Sequence, residues 1–83
     1  MNGTITVETQ TTKMKPGEKH SFHVRFNNME PCKLRFELTD YNSGTITEEG
    51  EYTAPDREGS FEVRILCSDH PDIATYAYVD VRA

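Results

Sequence analysis

Apolar and polar residues alternate with a period of two along most of the chain, the spacing that puts every second side chain on one face of a strand. Ile5 and Val7 alternate with Thr4, Thr6 and Glu8. Phe22, Val24 and Phe26 alternate with His23 and Arg25, and Cys32, Leu34, Phe36 and Leu38 with Lys33, Arg35 and Glu37. Farther on, Phe61, Val63, Ile65 and Cys67 form one face of a run, and Ala77, Val79 and Val81 one face of the last. The pattern predicts strands over residues 4–8, 20–26, 32–39, 60–67 and 74–82, with short apolar beats at Ile46 and Tyr52 supplying two more. No window of about 12 residues carries a helical stripe. Turn residues separate the runs: Pro16-Gly17, Asn27 to Pro31, Asp40 to Gly44, Glu48-Glu49-Gly50, Pro55 to Gly59, and Ser68 to Asp72. Thr9 to Thr12 is read as a polar connection. Short strands punctuated at about eight to twelve residues predict an all-β sandwich of about seven antiparallel strands.

Composition fits that architecture. The 83 residues suffice for one domain, taken as 1–83, and are 35% hydrophobic and 28% charged. A sandwich whose outer faces are solvated gives that balance, because each strand sends only alternate residues to the core. Nine basic residues against fourteen acidic ones leave a net charge of −5 and no Lys/Arg cluster. That excludes nucleic acid, whose binding rests on displacing counterions from phosphates, and disfavours anionic membrane surfaces. No apolar run of about 18 residues is present, so no direct membrane insertion is expected. The strand pattern begins at once with no leader before it, and the chain reads as a domain excised from a larger multidomain protein.

Gly44-Thr45-Ile46-Thr47, Gly50-Glu51-Tyr52-Thr53-Ala54-Pro55 and Gly59-Ser60-Phe61-Glu62-Val63 together resemble the bacterial immunoglobulin-like domains. The turn Asp69-His70-Pro71-Asp72 and the closing Ala77-Tyr78-Val79-Asp80-Val81 extend the resemblance, which covers about Leu34 to Val81. It implies a modular, non-catalytic domain of a cell-surface or secreted protein, acting as spacer, adhesion or protein-interaction module, or as companion of a glycoside hydrolase. Its partners would be neighbouring domains of the parent chain, and protein or glycan at the cell surface. Such domains often carry Trp on the third strand; Phe36 holds that place here and is expected to be almost fully buried against Phe22 and Phe61 or their neighbours. The motif's own chemistry is structural. Gly44 and Gly50 suit turns of positive φ, Tyr52 would bury its ring and lend its hydroxyl to the backbone, and Pro55 ends pairing because it has no N–H.

Little else in the sequence carries chemistry. There is no nucleophile elbow, phosphate-binding glycine loop or zinc-binding His pair. His20, His23 and His70 do not share one face and read as solvated, His20 half covered. Paired acids such as Glu48-Glu49 would need a cleft to work as glycosidase carboxylates. Asp69, Asp72 and their neighbours lack the dense Asp/Asn alternation of a dedicated calcium loop, so no metal or cofactor is expected. Tyr76 and Tyr78 are two apart on the last strand and both face outward. Together with Tyr41 they could stack on a sugar, though aromatic residues favour strands in any case.

Cys32 and Cys67 both have inward parity. In an immunoglobulin-like topology the third and sixth strands are antiparallel neighbours, which brings the end of one to the start of the other. The two cysteines are therefore expected close together, with Cα atoms at about 4.4–6.8 Å. This would not be the usual disulfide between sheets, and two small buried thiols remain the alternative.

Overall fold

The computed structural model describes residues 3–83; Met1 and Asn2, the first residues of the expected domain, lie outside the described residues. Within them the alternation becomes nine strands and no helix: β1 (Thr4–Val7), β2 (Thr11–Met14), β3 (Lys19–Ser21), β4 (Val24–Asn27), β5 (Leu34–Leu38), β6 (Thr45–Ile46), β7 (Glu51–Thr53), β8 (Gly59–Cys67) and β9 (His70–Val81). One sheet has the order β2-β9-β8-β5; β1-β4 and β3-β7-β6 form two smaller sheets, linked in sequence where β3 leads into β4. All pairs are antiparallel except β2 with β9. The sheets share one core in a sandwich-like all-β fold. Its centre is Val63, Ile65 and Cys67 of β8, Ala77, Val79 and Val81 of β9, and Tyr52 of β7, with Ile5, Met14, Phe22, Ala54 and Phe61 around them.

Three boundaries differ from the sequence reading. The segment taken as a polar connection forms β2, parallel to β9 with Thr11 opposite Tyr78 and Met14 opposite Val81. Only Met14 is apolar, so the sequence has no alternation to show although Thr12 is half-buried on the same face; backbone bonds from Tyr78 N–H to Gln10 O (2.7 Å) and Arg82 N–H to Met14 O (2.9 Å) extend its ladder at either end. The run 20–26 is broken in two. β3 pairs with β7 and β4 with β1, and the ladders meet at Phe22, whose N–H reaches Gly50 O (3.2 Å), and His23, whose carbonyl accepts from Glu8 N–H (2.9 Å). Parity survives the change of partner, so Phe22 is buried while His23 and Arg25 are exposed. Finally, β9 starts at His70, not near Ala74. Cys67 pairs with His70 and Leu66 with Ala74, so Pro71, Asp72 and Ile73 bulge out of the ladder. A bulge is where a strand tolerates a proline, which has no N–H to give.

Phe36 is a further correction: it is half-buried, not sealed in the core. β5 is the last strand of its sheet, and β6, two residues long, is too short to roof it. Phe61 lies four residues along β8 from Ile65, the partner of Phe36, which is about 13 Å away along the strand.

Candidate functional site

Three surfaces could engage a ligand. The first is the outer face of the large sheet. β9 turns Ala77 and Val79 into the core, which forces Tyr76 and Tyr78 outward, where they are 40% and 39% exposed. Arg64 stands opposite Tyr76 and Glu62 opposite Tyr78 on β8, and Thr11 of β2 lies on the other side of Tyr78. Glu37 links the mosaic across strands, accepting from Arg64 Nη1 at 3.1 Å and pairing with Arg35 Nε at 3.2 Å. Leu66 shares this face yet is buried, between Arg35 and Ala74 in register. The two tyrosines are thus brought together as the alternation predicts, among charges of both signs.

The second surface is the pole formed by residues 40–44. Tyr52, wholly buried, donates its hydroxyl to the carbonyl of Ser43. Burial raises the Tyr52 phenol above its ordinary pKa, with Arg57 opposing and Asp40 adding to the shift. Ser43 Oγ donates to Asp40 O (2.8 Å), and Asp40 Oδ2 accepts from Glu62 N–H (3.1 Å). Arg57 donates from Nε to Asn42 O (2.9 Å) and from Nη2 to Tyr41 O (2.8 Å), while its guanidinium lies 4.7 Å over the ring of Phe61. Asn42 takes φ 54°, a left-handed geometry that Asn tolerates. Gly44, at φ 101°, could hold no side chain, because a Cβ would collide with the carbonyl oxygen of Thr53 beside Pro55 and the Tyr52 hydroxyl. Pro55 is buried two residues after β7 ends. The result is a firmly tied turn that carries Tyr41 94% exposed at its tip. Arg57 is the residue that sequence reasoning missed; in sequence it is one charge in a charged loop.

The third is a groove of about 690 Å³ along β5, lined by Phe22, Leu34, Phe36 and Ile46, with Lys33, Arg35, Glu48 and Glu49 also in its wall. The ring of Phe36 sits over Gly50, whose φ is 88° and whose Cβ, if present, would lie 2.6 Å from Phe36 Cζ. At one end Cys32 and Cys67 are joined in a disulfide with a Cα separation of 5.8 Å. Cys67 stands opposite Leu34, so the bridge runs diagonally to Cys32, just ahead of β5, and Ser68 N–H to Lys33 O (2.8 Å) carries the ladder past it.

The three histidines do not converge: His20 is on β3, His23 lies between β3 and β4, and His70 opens β9. His20 of β3 is half-buried with its ring 5.0 Å from Phe22, edge to face; burial first, then His23, lowers its pKa below 6.5. Among the described residues, no three His, Cys, Asp or Glu come together as a metal site. No protein-family model matches this chain, and no curated protein matches it either.

Proposed function

We propose that the chain is a non-catalytic, immunoglobulin-like module of a bacterial cell-surface or secreted protein, working as a spacer or protein-interaction domain. The strand order supports the immunoglobulin-like part of this reading. The first edge is divided between layers, β1 pairing with β4 and β2 running parallel to β9, and β8 sits between β9 and β5. That order resembles the two-sheet division of immunoglobulin-like sandwiches, and Tyr52, bonded to the backbone of a neighbouring turn, is similar in kind to their tyrosine corner although it stands on the preceding strand. The Cys32–Cys67 bridge supports an exported parent, because disulfides persist in oxidising compartments. The acids near its hollows, Glu48, Glu49 and Asp56, are exposed on loops, which supports binding over catalysis. Thiol trapping in acid-quenched cells of the natural source tests the export. Both cysteines should resist alkylation until a reductant is added. Alkylation without reductant, in the native chain, would overturn the reading.

A second reading, a carbohydrate-binding or glycoside hydrolase accessory module, is favoured by one observation, the outward pair Tyr76 and Tyr78. A glycan screen at millimolar concentration decides it. Binding that Tyr78→Ala abolishes without lowering the melting temperature supports it, and absence of binding removes its support.

A further inference from the structure

Among the described residues β5 ends its sheet with one backbone edge unpaired, and the direction of that edge is fixed by two bonds. Thr39 N–H donates to Glu62 O (3.4 Å) and Ser68 N–H to Lys33 O (2.8 Å), so the odd-numbered residues of this strand direct their backbone groups toward β8. In an antiparallel ladder hydrogen-bonding residues alternate sides. Leu34, Phe36 and Leu38 therefore present their N–H and C=O groups to the free edge. Their side chains meanwhile point to the inner face and are only half-buried, Leu34 and Phe36 lining the groove.

We propose that this edge pairs with the same edge of a second copy, in an antiparallel two-fold arrangement centred on Phe36. The sequence of β5, Leu34-Arg35-Phe36-Glu37-Leu38, is complementary to itself when reversed. Centred on Phe36, Leu34 meets Leu38 of the second copy, Phe36 meets Phe36, and Arg35 meets Glu37. The even-numbered pairs are those whose backbone groups face out, so each exchanges both of its hydrogen bonds. Arg35 and Glu37 fall at the non-hydrogen-bonded positions, where side chains approach most closely.

Neighbouring registers that keep the backbone parity are worse. Centring on Arg35 or on Glu37 sets like charges directly opposite, which is destabilising. Of the devices that guard an edge against self-pairing, β5 lacks Pro, a bulge and an inward charge; its own outward charges, Arg35 and Glu37, are of opposite sign and two residues apart, so in this register they attract rather than repel. The pair would also bring Leu38 and Phe36 of each copy to the apolar groove of the other, covering what β6 leaves open. Such an interface is isologous and closed. It rests on β5 alone, whether or not the domain belongs to an exported protein.

Sedimentation equilibrium from about 10 μM to about 1 mM, the range for a small transient interface, tests it. The mass of the unmodified chain should climb toward twice the monomer's. R35E alone and E37R alone should each stay monomeric, and the double swap R35E/E37R should associate again. Circular dichroism checks the fold of each variant. As a readout independent of mutation, amide exchange in the unmodified chain should slow with concentration at Leu34, Phe36 and Leu38 and not at Thr11 or Lys13 of the opposite edge. A chain that remains monomeric throughout, single variants that associate as well as the parent, or protection that rises at the β2 edge instead would each overturn the pairing.

Discussion

The two margins of the large sheet are built from similar lengths of strand and end in opposite states. At the β2 margin the four residues Thr11–Met14, of which only Met14 is apolar, lie beside β9, and Met14, Val79 and Val81 are almost fully covered. At the β5 margin the five residues Leu34–Leu38 offer three large apolar side chains, and all three are half-buried. The richer alternation has the poorer burial. The cause is what faces each margin. The chain passes from β1 to β2 within a few residues, so one segment contributes to both layers and closes that side; β6 supplies only Thr45–Ile46 opposite β5. Alternation sets the direction of a side chain, and a facing strand sets its coverage.

The largest expected effect compares two phenylalanines. Phe61, buried among core residues and beneath Arg57, should cost about 3–5 kcal/mol when cut to Ala. Phe36→Ala should cost about half as much, roughly 2 kcal/mol, since part of its ring already meets water. Urea melts of dilute protein measure both. Equal losses would break the comparison and mean that the β5 margin is sealed.

Next comes the disulfide, which ties the open margin to the centre of the sheet. The bridged residues are 35 apart in sequence, and opening such a loop should cost about 4 kcal/mol in unfolded-chain entropy. In Cys32→Ser/Cys67→Ser, local exchange should quicken at β5 amides before it does in β9. Uniform loss of protection across both strands would show that the margins are energetically one unit.

How much of this was legible follows from the same distinction. Inward parity held from Ile5 to Val81, and with it the outward Tyr76 and Tyr78 and the closeness of Cys32 to Cys67, because all depend on side-chain direction along a run and on which runs adjoin. Burial of Phe36 did not follow, since it depends on the length of β6, and two residues leave almost no sequence trace. β2 was missed for a related reason: an edge strand with one apolar residue has no period. The roles of Tyr52 and Gly44 were readable from residue type, whereas Arg57, which holds the carbonyls of Tyr41 and Asn42, reaches across 16 and 15 positions that no local pattern connects.

Two glycines sharpen the contrast at smaller scale. Gly44→Ala would drive a Cβ into the Thr53 carbonyl, a backbone atom held in the β7 region, at a φ that L residues rarely adopt. The loss should be about 3 kcal/mol. Gly50→Ala also pays for positive φ, but the atom it meets is the far end of the Phe36 ring, which has the groove to turn into. About 1 kcal/mol is expected. If Gly50→Ala proves the more damaging, Phe36 is held rigidly and the groove is not free space.

The smallest effect should appear at His20, whose ring packs on Phe22 at the floor of the open margin. Burial lowers its pKa in the folded chain below the ordinary 6.5, and His23 adds to this. The unfolded chain therefore binds a proton more readily than the folded one. By linkage the stability contributed by neutral His20 is fully present above the unfolded value, declines as pH falls through it, and is gone once pH is below the folded value. Because the ring is partly exposed, solvent screens the effect and the slope should be shallow. Urea midpoints between about pH 8 and pH 5.5 in the unmodified chain and in His20→Gln measure it together with its interaction with His23, since titrating groups that do not interact with His20 contribute equally to both. The unmodified chain should lose slightly more stability toward acid than the variant. An identical slope would mean that the ring is solvated in the folded chain, and that water reaches the floor of the groove beside Phe22; a steeper one in the variant would reverse the sign assigned to His20.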